Sequence, residues 1–251
     1  MRGLGGVKGM VEQAVREARV LLDAGLDGLI IENMHDAPYV HGRKGPEIVA
    51  AMTCAAQAVR DAAPGVPIGV QVLSGGNMEA LAIALAADLQ FIRCENFVFS
   101  HVADEGLLDR AEAGPLLRYR RQIGAERVKI FCDIKKKHAS HAITADLSLT
   151  DVADAAEFFG ADGLIVTGTA TGRPTSVEDV AEVRHASTGL PILVGSGVRP
   201  ETVGELLRFA DALIVGSYIK KDGRWMNAPD LKRCRAIARA AAANRRAPGA
   251  A

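Results

Sequence analysis

The stretches PILVGSGVRPETV (191–203) and ALIVGSYIKKDG (212–223) each join a short apolar run to a turn that contains glycine. Such runs are typical of parallel strands that are buried on both faces. Glycine in the turn lets backbone N–H groups approach an anion without a Cβ in the way, and a helix that begins there adds favourable partial charge. Two such turns in succession are typical of the phosphate site that (β/α)8 barrels build after strands seven and eight. The predicted phosphate-binding residues are Gly195, Ser196, Gly197, Gly216 and Ser217.

Five further apolar runs precede these two stretches and alternate with segments of helical periodicity. The pattern favours an α/β barrel, although seven strands are one fewer than the eight that close a (β/α)8 barrel, so a doubly wound open sheet is the alternative. Ser148 and Thr175 each precede an acidic residue by three positions, which is the spacing of a capping box at a helix start. No linker divides the chain, so one domain is expected over 1–251. The five runs are GLIIEN (28–33), PIGVQVL (67–73), QFIRC (90–94), RVKIFCD (127–133) and GLIVTG (163–168).

Composition argues against several classes of protein. The 251 residues include 30 Lys or Arg and 30 Asp or Glu, so the formal net charge is zero and a dedicated nucleic-acid-binding protein is not expected. No apolar run approaches the ~18 residues of a membrane-spanning helix, and the first residues lack the apolar core of a secretory signal. The cysteines Cys54, Cys94, Cys132 and Cys234 form no C-x-x-C pair, which favours reduced thiols. We therefore expect a protein of the cytoplasm or an organellar matrix, without integral membrane association.

The segment FCDIKKKHASH (131–141) contains the strongest candidates for catalysis. Asp133 ends a buried strand, where a carboxylate is costly unless it is paired or functional. Lys137 and His138 follow in the same loop and supply a cation and a group that titrates near neutral pH. The three together suit proton transfer next to a carbonyl or an imine, and Lys137 is alternatively a Schiff-base lysine. The other interpretation is a solvated basic run with Asp133 as its structural partner.

Polar residues follow other predicted strands at the edge where barrel enzymes place their active sites. Arg93 lies on a strand that we expect to be buried, so it needs an anionic partner, either a ligand or a carboxylate such as Glu32 or Asp133. Asn77 and Glu95 are interpreted as a helix start or a solvated side chain. The remaining candidates for binding or orienting a substrate are Glu32, Asn33, Asp36, Thr167 and Gly168.

Metal binding is a weaker prediction. His138 and His141 are three residues apart in a loop near Asp133, and imidazole and carboxylate groups are ligands of divalent ions. No third ligand is determined by the spacing. We therefore predict no cofactor and no metal, with a divalent ion at these histidines as the alternative.

A set of segments across most of the chain, from about Gly9 to Cys234, resembles the BtpA/SgcQ family. The segments are IIENMHDAPY, FIRCENFVFSHVADEG, FCDIKKKHASH, ADGLIVTGTATG, PILVGSGV and DALIVGSYIKKDG. The resemblance implies a TIM barrel of the ribulose-phosphate-binding type. Members are described as similar to phosphoribosylanthranilate isomerase, and a cyanobacterial member links the family to photosystem I biogenesis. No reaction is firmly attached to the family.

The family's motifs match this sequence residue by residue. Its Asp-x-x-x-Lys-His corresponds to Asp133, Lys137 and His138, and its Glu-Asn with a following Asp corresponds to Glu32, Asn33 and Asp36. Its two Thr-Gly pairs and its Gly-Ser-Gly correspond to Thr167–Gly168, Thr171–Gly172 and Gly195–Gly197. One departure is that members begin with a strand, whereas Met1 lies in the loop after it. The resemblance therefore implies a barrel that lacks or is truncated at its first strand, with about 1–8 as a loop remnant, about 245–251 as a loose tail, and an open seam between the strands at 28–33 and 212–217.

The predicted function is that of an enzyme, isomerase- or lyase-like, acting on a small phosphorylated metabolite such as a sugar phosphate or a nucleotide-like compound. Asp133 with Lys137 or His138 transfers protons, while Arg93 and Asn33 orient the substrate. The alternative is a non-catalytic assembly or stabilisation factor of the photosystem I biogenesis type. A third hypothesis is a chain that is inactive without its first strand. A homo-oligomer is compatible with each of them.

Overall fold

Seven parallel strands form one sheet in the computed structural model, which describes residues 5–168, 174–186 and 189–245. The order of the strands across the sheet is their order along the chain, and each pairs in parallel with the next. All seven predicted strands are confirmed. They are β1 (Leu29–Glu32), β2 (Ile68–Gln71), β3 (Phe91–Cys94), β6 (Lys129–Ile134), β8 (Gly163–Val166), β9 (Ile192–Val194) and β10 (Ala212–Leu213).

Helices connect successive strands of this sheet and cover its outer face. Aliphatic side chains of the strands and helices form a continuous buried core, with Ile68, Ile92, Ile130, Leu164 and Ile192 fully enclosed. None of the helices in the described part of the chain combines the length and apolarity needed to cross a membrane. The helices are α1 (Gly6–Asp23), α2 (Pro46–Ala62), α3 (Asn77–Ala86), α4 (Ala113–Gln122), α5 (Leu149–Phe158), α6 (Val177–Ala186), α7 (Val203–Leu206) and α8 (Leu231–Ala243).

The strand order distinguishes the two predicted architectures. A doubly wound sheet reverses its strand order at a switch point, whereas the strands of a barrel follow one another around the axis. This sheet has no reversal, so the α/β fold is of the TIM-barrel type, built from seven strands. Its edge strands are β1 and β10, which do not pair with each other in the described chain.

Side chains connect the two edges across this seam. Lys220 Nζ donates to Glu17 Oε2 at 2.6 Å and so links α1 to the segment before α8. The helices α1 and α8 also contact each other directly. In the segment after β1, His35 Nε2 lies 3.3 Å from the carbonyl oxygen of Met226, and its ring packs 5.4 Å from that of Trp225. The edges are therefore held together without backbone pairing.

A second, three-stranded antiparallel sheet is a feature that the sequence pattern did not predict. It consists of β4 (His101–Ala103), β5 (Gly106–Leu108) and β7 (Ala139–Ser140), in the order β5-β4-β7. The hairpin β4–β5 lies in the segment after β3, and β7 lies in the segment after β6. The small sheet therefore joins these two segments beyond the carboxyl ends of the barrel strands.

Candidate active site

Arg93 is at the centre of the candidate site. It lies on β3 and is buried, and its Nε and Nη2 donate to Asp133 Oδ1 and Oδ2 on β6, each at 3.0 Å. Its Nη1 lies 3.5 Å from Oε1 of Glu32 at the end of β1. Burial lowers the pKa of Arg93, but the charges of Asp133 and Glu32 outweigh burial and raise it. The guanidinium is thus permanently charged and is paired with both carboxylates that the sequence suggested as partners.

The two carboxylates differ in accessibility. Both oxygens of Asp133 accept hydrogen bonds from Arg93, and its side chain is only 2% exposed. Glu32 makes the single longer contact with Arg93, and its side chain is 22% exposed. A ligand or solvent therefore reaches Glu32 more readily than Asp133.

Asn33 connects the ends of β1 and β2. Its Oδ1 accepts a hydrogen bond from the Leu73 backbone N–H at 2.7 Å, and its Nδ2 donates to the Leu73 carbonyl at 3.3 Å. The backbone N–H of Asp36, a half-buried residue, donates to the Asn33 carbonyl at 2.9 Å. Both polar groups of the Asn33 side chain are therefore engaged in holding the backbone next to Glu32.

The three lysines of the segment after β6 have different environments. Lys135 Nζ donates to the Leu147 carbonyl at 2.5 Å, and Lys136 Nζ is buried and donates to Glu95 Oε1 at 3.2 Å. The half-buried Lys137 is attached through its backbone N–H to Thr167 Oγ1 at 3.1 Å, and its Nζ has no hydrogen-bond or ion-pair partner within the described ranges. Since Lys136 is buried, the run is not a uniformly solvated face.

Asn77 begins α3, which confirms its interpretation as a helix start, and it is buried. Glu95 is buried as well, so its interpretation as a solvated side chain is wrong. Burial raises the pKa of Glu95, but Lys136, the Gly75 N–H at 2.8 Å and Arg93 together lower it below its usual value. Asn77 Nδ2 donates to the Glu95 carbonyl and to Glu112 Oε2, each at 2.7 Å. The position of Glu95 directly after a buried strand was the signal that distinguishes it from a loop residue.

The histidines do not converge on one partner. His138 Nδ1 lies 3.6 Å from Asp104 Oδ2 on the β4–β5 turn. His141 Nε2 lies 3.0 Å from the Lys136 carbonyl, so it is the donor, and its ring packs 5.5 Å from that of His101. No group of three or more His, Cys, Asp or Glu side chains in the described residues is arranged to hold a metal ion.

The turns after β9 and β10 lie side by side, because Val194 pairs with Leu213. The Gly195 N–H continues the strand ladder to the Val166 carbonyl at 2.8 Å, whereas Gly197 has a φ of +65° that favours glycine. In the described chain, the backbone N–H groups of three residues in these turns donate to no protein acceptor. They are Gly197, Gly216 and Ser217.

Close packing explains why residue 195 is glycine. A Cβ at Gly195 would lie 2.8 Å from Ile165 Cγ2, 3.1 Å from Thr167 Cγ2 and 3.4 Å from Arg93 Nη2. The turn after β9 is therefore in contact with the Arg93 cluster. The buried Ser196 accepts a hydrogen bond from Thr175 Oγ1 at its carbonyl, at 3.1 Å.

The sequence predicted that helix N-termini next to these turns add partial positive charge, but the helices begin further along the chain than expected. The helix after Gly197 is α7, which has only four residues and begins at Val203. The next α-helix after Ser217 is α8, which begins at Leu231. Of the two Thr-Gly pairs, Thr167 is buried and Gly168 half-buried at the end of β8, while Thr171–Gly172 lies outside the described residues.

Comparison with known proteins identifies both relatives and the fold. The family model described as the BtpA family matches residues 4–243. An uncharacterized mitochondrial protein of Caenorhabditis elegans is 45% identical over 87% of this chain and 79% of its own length. The photosystem I biogenesis protein BtpA of Synechocystis is 36% identical over 90% of this chain and 77% of its own. Among solved structures, orotidine 5'-phosphate decarboxylase from Pyrococcus horikoshii has a TM-score of 0.60 at 15% identity, covering 92% of this chain and 94% of that one.

Proposed function

The chain belongs to the BtpA family, and from that premise we propose that it is an enzyme acting on a small phosphorylated metabolite, such as a sugar phosphate or a nucleotide-like compound. The observation that carries this proposal is that the backbone N–H groups of Gly197, Gly216 and Ser217, on two adjacent turns, have no acceptor among the described residues. Convergent backbone N–H groups are a recurrent phosphate-binding device. The phosphate group of the ligand therefore binds at the ends of β9 and β10. The remainder of the ligand then extends toward Arg93 and Lys137.

The chemistry proposed is acid–base catalysis at this second end. Glu32 is the better proton-transfer group, because it is more exposed than Asp133 and less tightly held by Arg93. Asp133, to which the sequence pattern assigned proton transfer, instead acts as a positioning residue that orients Arg93. Lys137, whose Nζ has no partner among the described residues, acts with Glu32 in this proton transfer. His138 is the second candidate for this role, at the edge of the site beside Asp104.

Thermal unfolding in the presence of ribose 5-phosphate and of ribose tests the phosphate site. A ligand at about 100 times its dissociation constant stabilises the folded state by about 2.7 kcal/mol, which raises Tm by several degrees. We expect ribose 5-phosphate to do this more strongly than inorganic phosphate, and ribose to have no effect.

A pair of variants at Ser217 controls the test. Ser217→Asp places a carboxylate beside the unpaired N–H groups and should abolish the stabilisation, whereas the neutral, similarly sized Ser217→Asn should retain most of it. If both variants respond to ribose 5-phosphate as the parent protein does, the phosphate does not bind at these turns and the proposal is wrong.

The second candidate function is that of an assembly factor. It is supported by the 36% identity to the photosystem I biogenesis protein BtpA and by the exposed, paired side chains of Val102 and Leu107 on the small sheet. An assembly factor should tolerate the loss of a site lysine, whereas an enzyme should not. Complementation of a deletion strain with the Lys137→Met variant, which removes both the amine and its charge, distinguishes them: restored growth favours the assembly factor.

For localisation, we propose a reducing compartment, either the cytoplasm or an organellar matrix. All four cysteines are unpaired in the structure, and three of them, Cys94, Cys132 and Cys234, are buried. The relative from Caenorhabditis elegans is described as mitochondrial. Fluorescence microscopy of the tagged protein in its own host tests this, and a signal in a secretory compartment would contradict it.

A further inference from the structure

Lys137 differs from its two neighbours in the same segment in having an uncommitted amine. Lys135 Nζ and Lys136 Nζ are bound to the Leu147 carbonyl and to Glu95, whereas Lys137 Nζ has no partner among the residues that the structure describes. Its backbone, in contrast, is fixed by the hydrogen bond to Thr167 Oγ1. The result is a reactive group on a positioned backbone at the end of β6.

Burial and nearby charges act in opposite directions on the pKa of Lys137. Burial and the charge of Arg93 lower the pKa of Lys137, while Glu32, Asp133 and Glu95 act in the opposite direction. Because Arg93 is held by two carboxylates, its positive charge stays in place whichever ligand is bound. A lysine with a lowered pKa is a nucleophile, since the unprotonated amine is the reacting species.

A continuous row of contacts leads from Lys137 to the phosphate turns. Lys137 binds Thr167 at the end of β8, and the Cβ position of Gly195 at the end of β9 lies 3.1 Å from Thr167 Cγ2. Gly216 follows at the end of β10, the next strand. With neighbouring strands about 4.8 Å apart, the backbone of Lys137 and the turns are separated by roughly 10–15 Å. A lysine side chain and a short phosphorylated compound together fill such a distance.

We propose that Lys137 forms a Schiff base with an aldehyde or ketone that carries a phosphate ester. This proposal rests on the proposed function, because the phosphate turns hold the ligand in reach of the amine. The Nζ lone pair forms a bond to the carbonyl carbon, and the π electrons of the carbonyl move to its oxygen. That oxygen takes up the proton lost by nitrogen and a second proton delivered through Glu32, and it leaves as water. The product is a protonated imine, in which the former carbonyl carbon is a strong electron acceptor.

Borohydride trapping with dihydroxyacetone phosphate tests this step. Hydride reduces an imine to a stable secondary amine, so peptide mass mapping identifies the lysine that was modified. We expect one dominant adduct at Lys137, absent from the Lys137→Arg variant and unchanged in Lys221→Arg, which replaces an exposed lysine outside the site. Labelling spread over surface lysines, or undiminished in Lys137→Arg, would overturn the proposal.

Two further measurements separate this proposal from the proposed function. Dihydroxyacetone without phosphate should give about a tenfold smaller adduct, because it lacks the group that the turns bind. Equal adducts at Lys137 would support the nucleophile and contradict the phosphate site. Stabilisation by dihydroxyacetone phosphate without any adduct would support the phosphate site and overturn the Schiff base.

Competitive acylation of all lysines near neutral pH is independent of the choice of ligand. We expect Lys137 to react about tenfold faster than Lys221, because a larger fraction of its amine is unprotonated. Equal rates would show that Lys137 is an ordinary lysine and would overturn the proposal.

Discussion

The two halves of the candidate site differ in whether their polar groups have partners within the protein. The network half, at the ends of β3 and β6, comprises Arg93, Glu95, Asp133 and Lys136. The turn half, at the ends of β9 and β10, comprises Gly197, Gly216 and Ser217. In the network half each charged side chain has a partner of opposite charge, whereas in the turn half three backbone donors have no protein acceptor in the described chain. The difference indicates that the network half is a fixed scaffold, whereas the turn half has the free backbone donors on which the proposed phosphate site rests.

Burial explains the difference. A buried charge without a partner is strongly destabilising, so the four groups of the network half must neutralise one another. An N–H group at the surface can be hydrated, so leaving it without a protein partner costs little. Lys137 follows Lys136 in the chain but is not one of these four groups, and no residue of the described chain binds its Nζ. In the proposed function it is the lysine of this segment that is available to a ligand.

Breaking the network half should have the largest effect on stability. Arg93→Met leaves Asp133 buried without a counter-ion, so we expect the free energy of unfolding to fall by about 3–5 kcal/mol. Urea denaturation measures the loss. The matched control is Arg16→Met, which removes an exposed arginine on α1 paired with Glu12 at 3.9 Å and should cost less than about 0.5 kcal/mol. Equal losses for both variants would mean that the Arg93 pair is not a structural element.

A glycine-to-alanine pair tests how the two halves contact each other. In Gly195→Ala the new methyl group would crowd Ile165, Thr167 and Arg93, and we expect a loss of about 1–3 kcal/mol. Gly216→Ala is the matched control, because no atom lies within 4 Å of the Cβ position there, and its stability should change by less than about 1 kcal/mol. Thermal unfolding of the two variants side by side compares them, and an unaffected Gly195→Ala would show that the halves do not touch.

Acid should lower the stability of the fold gradually through His101, a buried residue of β4 whose pKa depends in part on Lys136 of the network half. Burial, together with the charges of Lys136 and His141, lowers the pKa of His101 to about 4. The unfolded chain binds a proton at this residue near pH 6.5, so the free energy of unfolding should fall as the pH drops from about 6.5 to about 4. His101→Phe should reduce this slope in urea titrations, and His41→Gln, at an exposed position, is the control. A slope that His101→Phe leaves unchanged would assign the acid sensitivity to other groups.

The strands of the barrel could be predicted because their signal is local. Each is a short, mostly apolar run, and burial on both faces favours such composition. The capping box at Ser148 was likewise predictable and is present at the start of α5. At α6 the cap is Ser176 rather than Thr175, whose hydroxyl binds the Ser196 carbonyl of another turn. Two adjacent hydroxyl residues make the same local pattern, so only the tertiary contact assigns the two roles.

The small antiparallel sheet could not be predicted for a different reason. Its strands β4, β5 and β7 are only two or three residues long, which is too short for the sequence pattern to distinguish them from loop residues. They pair because the segments after β3 and β6 emerge next to each other from adjacent strands. Their pairing is a consequence of the barrel rather than of their own sequence.

The amino-acid sequence by itself determined which residues form the parallel strands, their order, and the set of polar residues at their carboxyl ends, because these depend on local composition and spacing. The tertiary structure alone decided which of those polar residues neutralise one another. Lys135, Lys136 and Lys137 are adjacent and chemically identical, yet one binds a carbonyl, one a buried carboxylate, and one is left with an uncommitted amine. That choice depends on distances between strands that are far apart in the chain, and no local pattern contains them.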